Sequence, residues 1–571
     1  MEKIAHVLGI VSLTFLLFSC QAGKVARDYS TLVAARAESV VTRCKDLPPS
    51  PSVCTASRGS NAVLVKGNIL APGIVYQGGD LLIDANGQID CVSCDCSSRP
   101  VSAGATVVTC ANGVVSPGLI NAHDHINYNQ GYPGDWGTER YDQRNDWRKG
   151  LRGHTKIPYT ADSRPPILAW NELRQVISGT TSVAGSGGVA GLLRNIDRPD
   201  LLEELKTVKV DYNVFPLGDS DGTQLESMCK YPKIDSPEVL KDFDCYLPHV
   251  AEGVDQVAHN EFLCLSGQQS GGVNLTSPKS AFIHMISLLT PDSKILADTN
   301  TTVVWSPRSN IALYGNTAQI TLYDRLGVNI AASTDWTPSG SMNLLRELKC
   351  IEDFNRKHLS NYFSDQKIWN MVTINPAYGL AISNQVGSLV PGLVADVAIY
   401  SGSASSNYFR TVLDAGPKDV TLVLRAGKPL YGDSGLMAVI PNGQSGCEEI
   451  PGGVCSVSKT ACILRETGSD FASLAMVNSA SYPLFYCGIP DKEPTCVPMR
   501  PADTYGCGKY PLADSSKDID GDGVEDRVDN CPTIFNPVRP VDDFGSHICK
   551  QADYNGDGRG DVCDPNPLEK I

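Results

Sequence analysis

Short apolar runs separated by turn signals fill two stretches of the chain, residues 61–109 and 386–424. In the first stretch, a Val-Leu-Val triplet at residues 63–65 is followed by glycines and by the pair Asn86-Gly87. This pattern is typical of β-strands that are joined by tight turns. We therefore predict β-structure on both sides of a long central segment.

The central segment, residues 118–380, has a different pattern. Apolar strand-like runs alternate with stretches of helical character, for example residues 166–178 and 201–206. Strands that alternate with helices over about 250 residues favour a parallel β-barrel surrounded by helices. The fold class predicted for this segment is α/β, a (β/α)8 barrel.

The first twenty residues have the pattern of a signal peptide. Lys3 precedes an apolar run over residues 4–18, which is too short to span a bilayer. The run ends at Cys20 in the sequence Leu-Phe-Ser-Cys, which resembles a bacterial lipobox and implies a lipid anchor on that cysteine. We expect an exported protein, held at the outer membrane or cell surface as a lipoprotein. Ordinary cleavage, with a periplasmic or secreted product, is the alternative.

Composition and charge add to this picture. The 571 residues are 42% hydrophobic and 19% charged, which is typical of a globular protein. A formal net charge of −15 argues against nucleic acid as the main partner, because phosphate binding needs a basic surface. Twenty cysteines are typical of an oxidising compartment. We expect disulfides rather than a zinc cluster among Cys91, Cys94, Cys96 and Cys110, with three pairings left open.

An apolar run over residues 114–120 leads to two histidines, His123 and His125. Alternate residues of a strand face the same side, so both imidazoles can hold one metal ion at the mouth of a barrel. Asp124 is out of phase with them, and we expect it to have a structural role. The Pro-Gly-Leu-Ile-Asn-Ala at residues 117–122 resembles the first-strand signature of the amidohydrolase superfamily.

Four later segments resemble the same superfamily in the same order. They are strand 5 at residues 245–252 with His249 and Glu252, strand 6 at 281–284 with His284, strand 7 at 304–310 with a Pro-x-Ser-Asn motif, and strand 8 at 328–335 with Asp335. The resemblance implies one Zn²⁺ or Fe²⁺ per barrel, bound by His123, His125, His249 and Asp335. It also implies catalytic roles: Asp335 accepts a proton from the attacking water, His284 holds that oxygen, and Glu252 carries a proton to the substrate nitrogen.

The expectation of a single metal also depends on strand 4, at residues 209–218. Its distal half has no Lys or Glu, the residues that bridge two metals in binuclear members of the superfamily. The resemblance implies hydrolysis of a non-peptide C–N bond in a small molecule, by a deaminase or a cyclic amide or amidine hydrolase. The alternatives are hydrolysis of an ester or phosphoester at the same metal, and an inactive adhesion or scaffold protein.

The C-terminal residues contain two copies of an acidic loop, residues 518–526 and 553–561. Oxygen donors at positions 1, 3 and 5, Gly at position 6 and a backbone carbonyl at position 7 are typical of Ca²⁺ loops. The loops and the cysteines after them resemble thrombospondin type 3 repeats; a disordered acidic tail is the alternative. The expected calcium ligands are Asp518, Asp520, Asp522, Val524, Asp526, Asp553, Asn555, Asp557, Arg559 and Asp561.

The amidohydrolase resemblance further implies a small composite β-sandwich built from segments on both sides of the barrel. The cysteines that follow it predict an irregular, Cys-rich extension. The expected divisions are a signal peptide at residues 1–19, a tether at 20–60, the composite β-sandwich at 61–115 and 385–440, the barrel at 116–384, the Cys-rich extension at 441–510 and the calcium-binding repeats at 511–571.

Overall fold

The computed structural model describes residues 29–402, 407–501, 509–545 and 548–570. The predicted signal peptide and Cys20 lie outside the described residues. The strands are β1 Val40–Arg43, β2 Thr55–Ser57, β3 Ser60–Ala71, β4 Ile74–Ile83, β5 Ile89–Ser93, β6 Ala105–Pro117, β7 Leu119–His125, β8 Thr180–Ser186, β9 Arg194–Asn195, β10 Val210–Asn213, β11 Cys245–Val250, β12 Ala281–His284, β13 Thr302–Trp305, β14 Ile330–Ala332, β15 Val397–Ser401, β16 Val420–Arg425, β17 Lys428–Asp433, β18 Glu448–Glu449 and β19 Lys459–Ala461. The α-helices are α1 Tyr29–Arg36, α2 Arg144–Lys149, α3 Pro165–Val176, α4 Val239–Asp242, α5 Gln256–Leu265, α6 Thr290–Asp298, α7 Pro307–Tyr314, α8 Ile320–Arg325, α9 Leu344–His358, α10 Asp365–Asn370, α11 Ile374–Gly379, α12 Tyr408–Asp414, α13 Ser434–Met437, α14 Ile463–Thr467 and α15 Phe471–Val477. None of the described helices is both long and apolar enough to cross a membrane.

Strands from both ends of the chain form one sheet of eleven strands. Its main order is β1-β4-β3-β6-β15-β16-β17-β19-β18, while β2 pairs with β6 and β5 pairs with β4. β6 and β15 are antiparallel neighbours, with Ser116 opposite Ala398. The sheet buries apolar side chains such as Val108 and Ile399. It also extends past the expected boundary at residue 440, because β19 pairs with β17.

The expected tether at residues 20–60 is wrong for residues 29–60, which belong to the fold. β1 pairs in parallel with β4, and β2 pairs with β6. Helix α1 buries Leu32 and Ala35 against α11. These elements are short and find their partners far away in sequence, so a segment rich in Ser, Ala and Arg gave no periodic apolar signal.

Disulfides, not a zinc cluster, join the cysteines of this β-structure, as expected. Their pairing differs from the expectation of bonds within the group of four, where only Cys91–Cys96 forms. The other two bonds are Cys44–Cys94 and Cys54–Cys110, which fasten the supposed tether to the sheet. The remaining described disulfides are Cys229–Cys264, Cys350–Cys496, Cys447–Cys462, Cys455–Cys487 and Cys531–Cys563.

The central segment contains eight parallel strands in two sheets, β7-β8-β9 and β10-β11-β12-β13-β14. A parallel bridge between Asp124 and Asp335 joins the first of these strands to the residues that follow the last. The backbone N–H of His125 donates to Asp335 O at 2.6 Å, and that of Asp335 donates to His123 O at 3.1 Å. The predicted α/β character with parallel strands is therefore confirmed.

Local sequence explains one helix and the absence of another. α3 begins at Pro165 and Pro166, whose fixed φ and missing N–H groups suit a first helical turn. This helix confirms the one predicted from residue 166. The helix predicted at residues 201–206 is wrong, because Glu203 and Glu204 have φ values of 38° and 63°, which a right-handed helix does not accommodate.

Candidate active site

The carboxyl ends of the parallel strands bring the predicted site residues together. His123 and His125 lie at the end of β7, His249 near the end of β11 and His284 at the end of β12. Asp335 follows β14. All of these residues are buried except His125, which is partly exposed. In α/β folds with parallel strands, this edge of the sheet is where active sites form.

Four of these residues form a compact group of donor atoms. One donor atom each from His123, His125, His249 and Asp335 lies within 4.8 Å of the others. Asp335 Oδ1 is 3.1 Å from His123 Nε2 and 3.5 Å from His125 Nε2. Burial alone would raise the pKa of Asp335, but the hydrogen bond with His123 and the nearby imidazoles lower it below its ordinary value. Three imidazoles and a carboxylate are typical ligands of a divalent metal ion in a catalytic site.

The protonation and pairing of the imidazoles fit such an ion. In the part of the chain that the structure describes, His123 Nδ1 and His249 Nε2 are buried without a hydrogen-bond partner. Buried polar atoms are rarely left unpaired unless a ligand satisfies them. Burial lowers the pKa of His249 well below its ordinary value and that of His125 to about 3. Neutral imidazoles are the form that binds metals.

Glu252 and His284 lie beside these donors. Both side chains are buried, and His284 Nε2 is 3.7 Å from Glu252 Oε2. His284 and Asp335 have φ values of 75° and 65°. This left-handed conformation costs a non-glycine residue about 1–3 kcal/mol, and it is concentrated at functional sites.

A cavity of about 230 Å³ opens over these groups. Its chemistry is mixed: imidazoles and carboxylates share the lining with aromatic rings and two arginines. The lining residues outside the metal group are Asn127, Tyr128, Arg144, Trp147, Arg148, Tyr159, Ser186, Val214, Phe215, Glu252, His284 and Trp336. The cavity therefore offers a polar reacting end and an aromatic binding wall to one small molecule.

The first predicted calcium loop folds around its own carboxylates. Asp518, Asp520 and Asp522 place oxygen atoms within 4.8 Å of one another. Asp520 Oδ2 and Asp529 Oδ2 are buried without a partner among the described residues. Burial and the carboxylates of Asp522 and Asp529 raise the pKa of Asp520 to about 9. A buried acidic group of this kind fits a cation with oxygen ligands.

Both acidic loops adopt the same turn. In each loop the first Asp accepts N–H bonds from two glycines: Asp518 from Gly521 and Gly523, and Asp553 from Gly556 and Gly558. The ninth-position carboxylates Asp526 and Asp561 each accept the N–H of the second loop residue, at 3.0 and 2.8 Å. The seventh residues donate their N–H groups to the fifth: Val524 to Asp522 and Arg559 to Asp557. Asn555 Oδ1 accepts from Asp557 N at 3.0 Å.

The chain is similar to known deaminases. A 5-methylthioadenosine/S-adenosylhomocysteine deaminase from Caldicellulosiruptor saccharolyticus is 23% identical over 398 residues, which is 63% of this chain and 90% of that protein. A 5'-deoxyadenosine deaminase from Methanosphaera stadtmanae is 21% identical over 422 residues, 66% of this chain and 96% of that protein. The similarity to these deaminases supports a hydrolase.

A solved structure agrees with the fold of this chain. The atrazine chlorohydrolase from Arthrobacter aurescens TC1, in complex with zinc, superposes with a TM-score of 0.50 at 16% identity. The match covers 73% of this chain and 99% of that one. The thrombospondin type 3 repeat family matches residues 515–539, which include the first acidic loop.

Two polar groups beside the imidazoles orient His125. Tyr212 OH on β10 lies 3.2 Å from His125 Nδ1, and Ser186 Oγ on β8 lies 3.1 Å from the same atom. The Tyr212 ring also stacks on His123 at 5.6 Å between centroids. Such partners set the tautomer and ring orientation of metal-binding histidines. Strand β10 therefore presents a phenol to this site.

A single helix, α7, contacts the three predicted catalytic residues. Ser309 donates to Asp335 Oδ2 at 2.6 Å, Asn310 Oδ1 lies 3.0 Å from His284 Nδ1, and Tyr314 donates to Glu252 Oε1 at 2.7 Å. The Pro-x-Ser-Asn motif marked this helix in the sequence. Its contacts were missed, because the motif does not show which distant residues it meets; Tyr314 and Glu252 are 62 residues apart.

Replacing Tyr314 with Phe is expected to lower kcat about tenfold while KM changes little. The hydroxyl fixes one oxygen of Glu252, and a hydrogen bond to a charged group contributes roughly 1.5–3 kcal/mol. Steady-state kinetics check this. Tyr400→Phe is the matched control, because Tyr400 is a buried tyrosine outside the site that donates to Ser178 O at 3.3 Å. Equal kinetics in the two variants would show that Tyr314 does not position Glu252.

Proposed function

We propose that this chain is an exported zinc enzyme that hydrolyses a non-peptide C–N bond of a small molecule. Deamination is the reaction that we favour. One observation carries the proposal: four donor atoms lie within 4.8 Å of one another, and three of their residues, His125, His249 and Asp335, line a cavity together with Glu252 and His284. The names of the deaminase relatives and the zinc in the atrazine chlorohydrolase structure support the same chemistry. In this proposal β7 to β14 close into a (β/α)8 barrel with the site at its mouth.

His123, His125, His249 and Asp335 would hold a Zn²⁺ ion, which would supply a water nucleophile near neutral pH. In this proposal the carboxylate of Asp335, whose other oxygen accepts a hydrogen bond from Ser309, accepts a proton from that water.

The other two residues act on the reacting atoms from the cavity wall. His284 Nδ1 donates to Asn310 Oδ1 at 3.0 Å, which leaves Nε2 to accept a hydrogen bond from the attacking oxygen. Glu252 has one oxygen held by Tyr314 and the other directed at His284. The second oxygen carries the proton to the substrate nitrogen, so that the C–N bond breaks with a neutral amine or ammonia as leaving group.

The test is a screen of amino-substituted heterocycles and cyclic amides with the zinc-loaded chain, with ammonia or ring opening as the readout. At least one compound is expected to react, and the reaction is expected to be absent from an Asp335→Ala variant. Cleavage of esters or phosphoesters alone would contradict C–N hydrolysis. A zinc-loaded chain that cleaves none of the three classes would favour a scaffold role instead.

We also propose export with a lipid on Cys20, and Ca²⁺ in the two C-terminal loops. The signal pattern and the eight described disulfides support export. Mass spectrometry of membrane-bound protein from the native host is expected to show a lipid-modified N-terminal cysteine. A Cys20→Ala chain that stays in the membrane fraction would contradict the anchor.

Removal of Ca²⁺ is expected to lower the Tm of the whole chain by several degrees. The reason is that the C-terminal segment is packed on the central fold: Arg539 donates to Ile286 O and Leu288 O at 2.9 Å each, and Val541 N donates to Val254 O at 3.1 Å. Ligand that binds only the folded state stabilises it by mass action.

Calorimetry with and without a chelator checks this. Asp520→Asn is expected to remove most of the calcium response, and Asp298→Asn, with a 60% exposed side chain outside the loops, is the matched control. A Tm indifferent to Ca²⁺ in the native sequence would contradict calcium binding by these loops.

A further inference from the structure

One arginine of the cavity lacks an acidic partner. Among the described residues, no carboxylate lies within 4.0 Å of the Arg148 guanidinium, whereas Arg144 pairs with Asp219 at 2.7 Å. Arg148 donates to Asn145 Oδ1 and, at 3.4 Å, to Ser220 O. A guanidinium has five N–H donors, so most of its donors have no protein acceptor.

The position of Arg148 shows why its missing acidic partner matters. Its guanidinium is stacked on the Phe215 ring at 4.3 Å, and both residues line the cavity that contains the metal donors. Burial and the neighbouring charge of Arg144 lower the pKa of Arg148. Both burial and the charge of Arg144 destabilise the charged guanidinium, and an anion in the cavity would stabilise it. A charge-assisted hydrogen bond to a carboxylate or phosphate is among the strongest that a guanidinium forms.

The wall next to Arg148 is aromatic. Trp147, Tyr159 and Trp336 are 5.3–5.8 Å apart between ring centroids, and Trp336 is also 5.8 Å from the ring of His125. Trp147 and Trp336 are almost completely buried. Aromatic walls of this kind bind planar rings by offset or edge-to-face contacts. A ring held there shares the cavity with Arg148 and with three of the metal donors.

We propose that the substrate is a planar heteroaromatic compound with an anionic substituent, a carboxylate or a phosphate, that Arg148 binds. The proposal rests on the proposed function, since it names the substrate class of the same site. Arg148 here is a specificity residue: it recognises the substituent and takes no part in proton transfer. Glu252 and His284 remain on the reacting side of the ring.

Binding rather than turnover tests this, so a failed C–N hydrolase screen does not decide it. The probes are benzoate, phenyl phosphate and neutral benzamide, titrated against the zinc-loaded chain by isothermal calorimetry. One of the two anions is expected to bind at least roughly tenfold more tightly than benzamide, and which anion it is identifies the substituent. Arg148→Gln is expected to abolish this preference, and Arg148→Lys to keep part of it.

Two further variants separate the contribution of Arg148 to anion binding from other causes of binding. Arg198→Gln is the matched control, because the side chain of Arg198 is 45% exposed and lies outside the cavity; it is expected to bind all three probes as the native chain does. Trp336→Ala is expected to weaken all three. An anion preference that survives in Arg148→Gln would show that the metal binds the anion and would overturn the proposal. No preference in the native chain would overturn it as well.

Discussion

A His249→Ala chain is expected to bind less than one tenth of the native amount of transition metal and to lose essentially all turnover. His249 Nε2 is buried without a hydrogen-bond partner in the described chain, and burial keeps its imidazole neutral. Removing one of three imidazole donors leaves an incomplete ligand set that cannot retain the ion against dialysis. Metal analysis of dialysed protein, together with the ammonia assay, measures both effects.

The matched control is His154→Ala. His154 is half-buried and lies 3.1 Å from Glu139 Oε1, outside the cavity. Its replacement is expected to leave the metal content unchanged. If His249→Ala keeps a full equivalent of tightly bound metal, the donor group named here is not the metal site.

A Glu252→Gln chain is expected to keep its metal but to lose about 10²–10⁴-fold in kcat, the usual contribution of a general acid–base group. Gln is close in shape and can still accept the hydrogen bond of Tyr314, so folding and the cavity are preserved. What it cannot do is carry a proton to the substrate nitrogen. Steady-state kinetics and metal analysis on the same preparation separate the two effects.

The matched control for this variant is Glu238→Gln, at a side chain that is 60% exposed. It is expected to have native kinetics. Native kcat in Glu252→Gln would refute a proton-transfer role. Loss of metal in that variant would show that Glu252 belongs to the ligand set, which the structure does not indicate.

The sequence predicted best what depends on local periodicity. Strand alternation placed His123 and His125 on one side of β7, and the resemblance of later segments to the amidohydrolase superfamily located His249, His284 and Asp335 at the ends of their strands. Because parallel strands end at the same edge, five separate motifs implied one site.

Contacts between distant segments were not predictable. Cys44 and Cys54 pair across 50 and 56 residues with cysteines of the sheet, and no periodic pattern marks such a partner. The same limit hid the contacts of α7, whose Tyr314 meets Glu252 because neighbouring parallel strands bring the two residues together. Backbone strain was equally hidden: His284 and Asp335 read as ordinary strand ends in sequence.

The central claim is that one transition metal lies among His123, His125, His249 and Asp335. Anomalous diffraction at the zinc edge, from crystals of the zinc-loaded chain, tests it most directly. A single peak about 2.0–2.2 Å from a donor atom of each residue is the predicted result. Two peaks in the cavity, or a zinc peak elsewhere and none at these four residues, would contradict it.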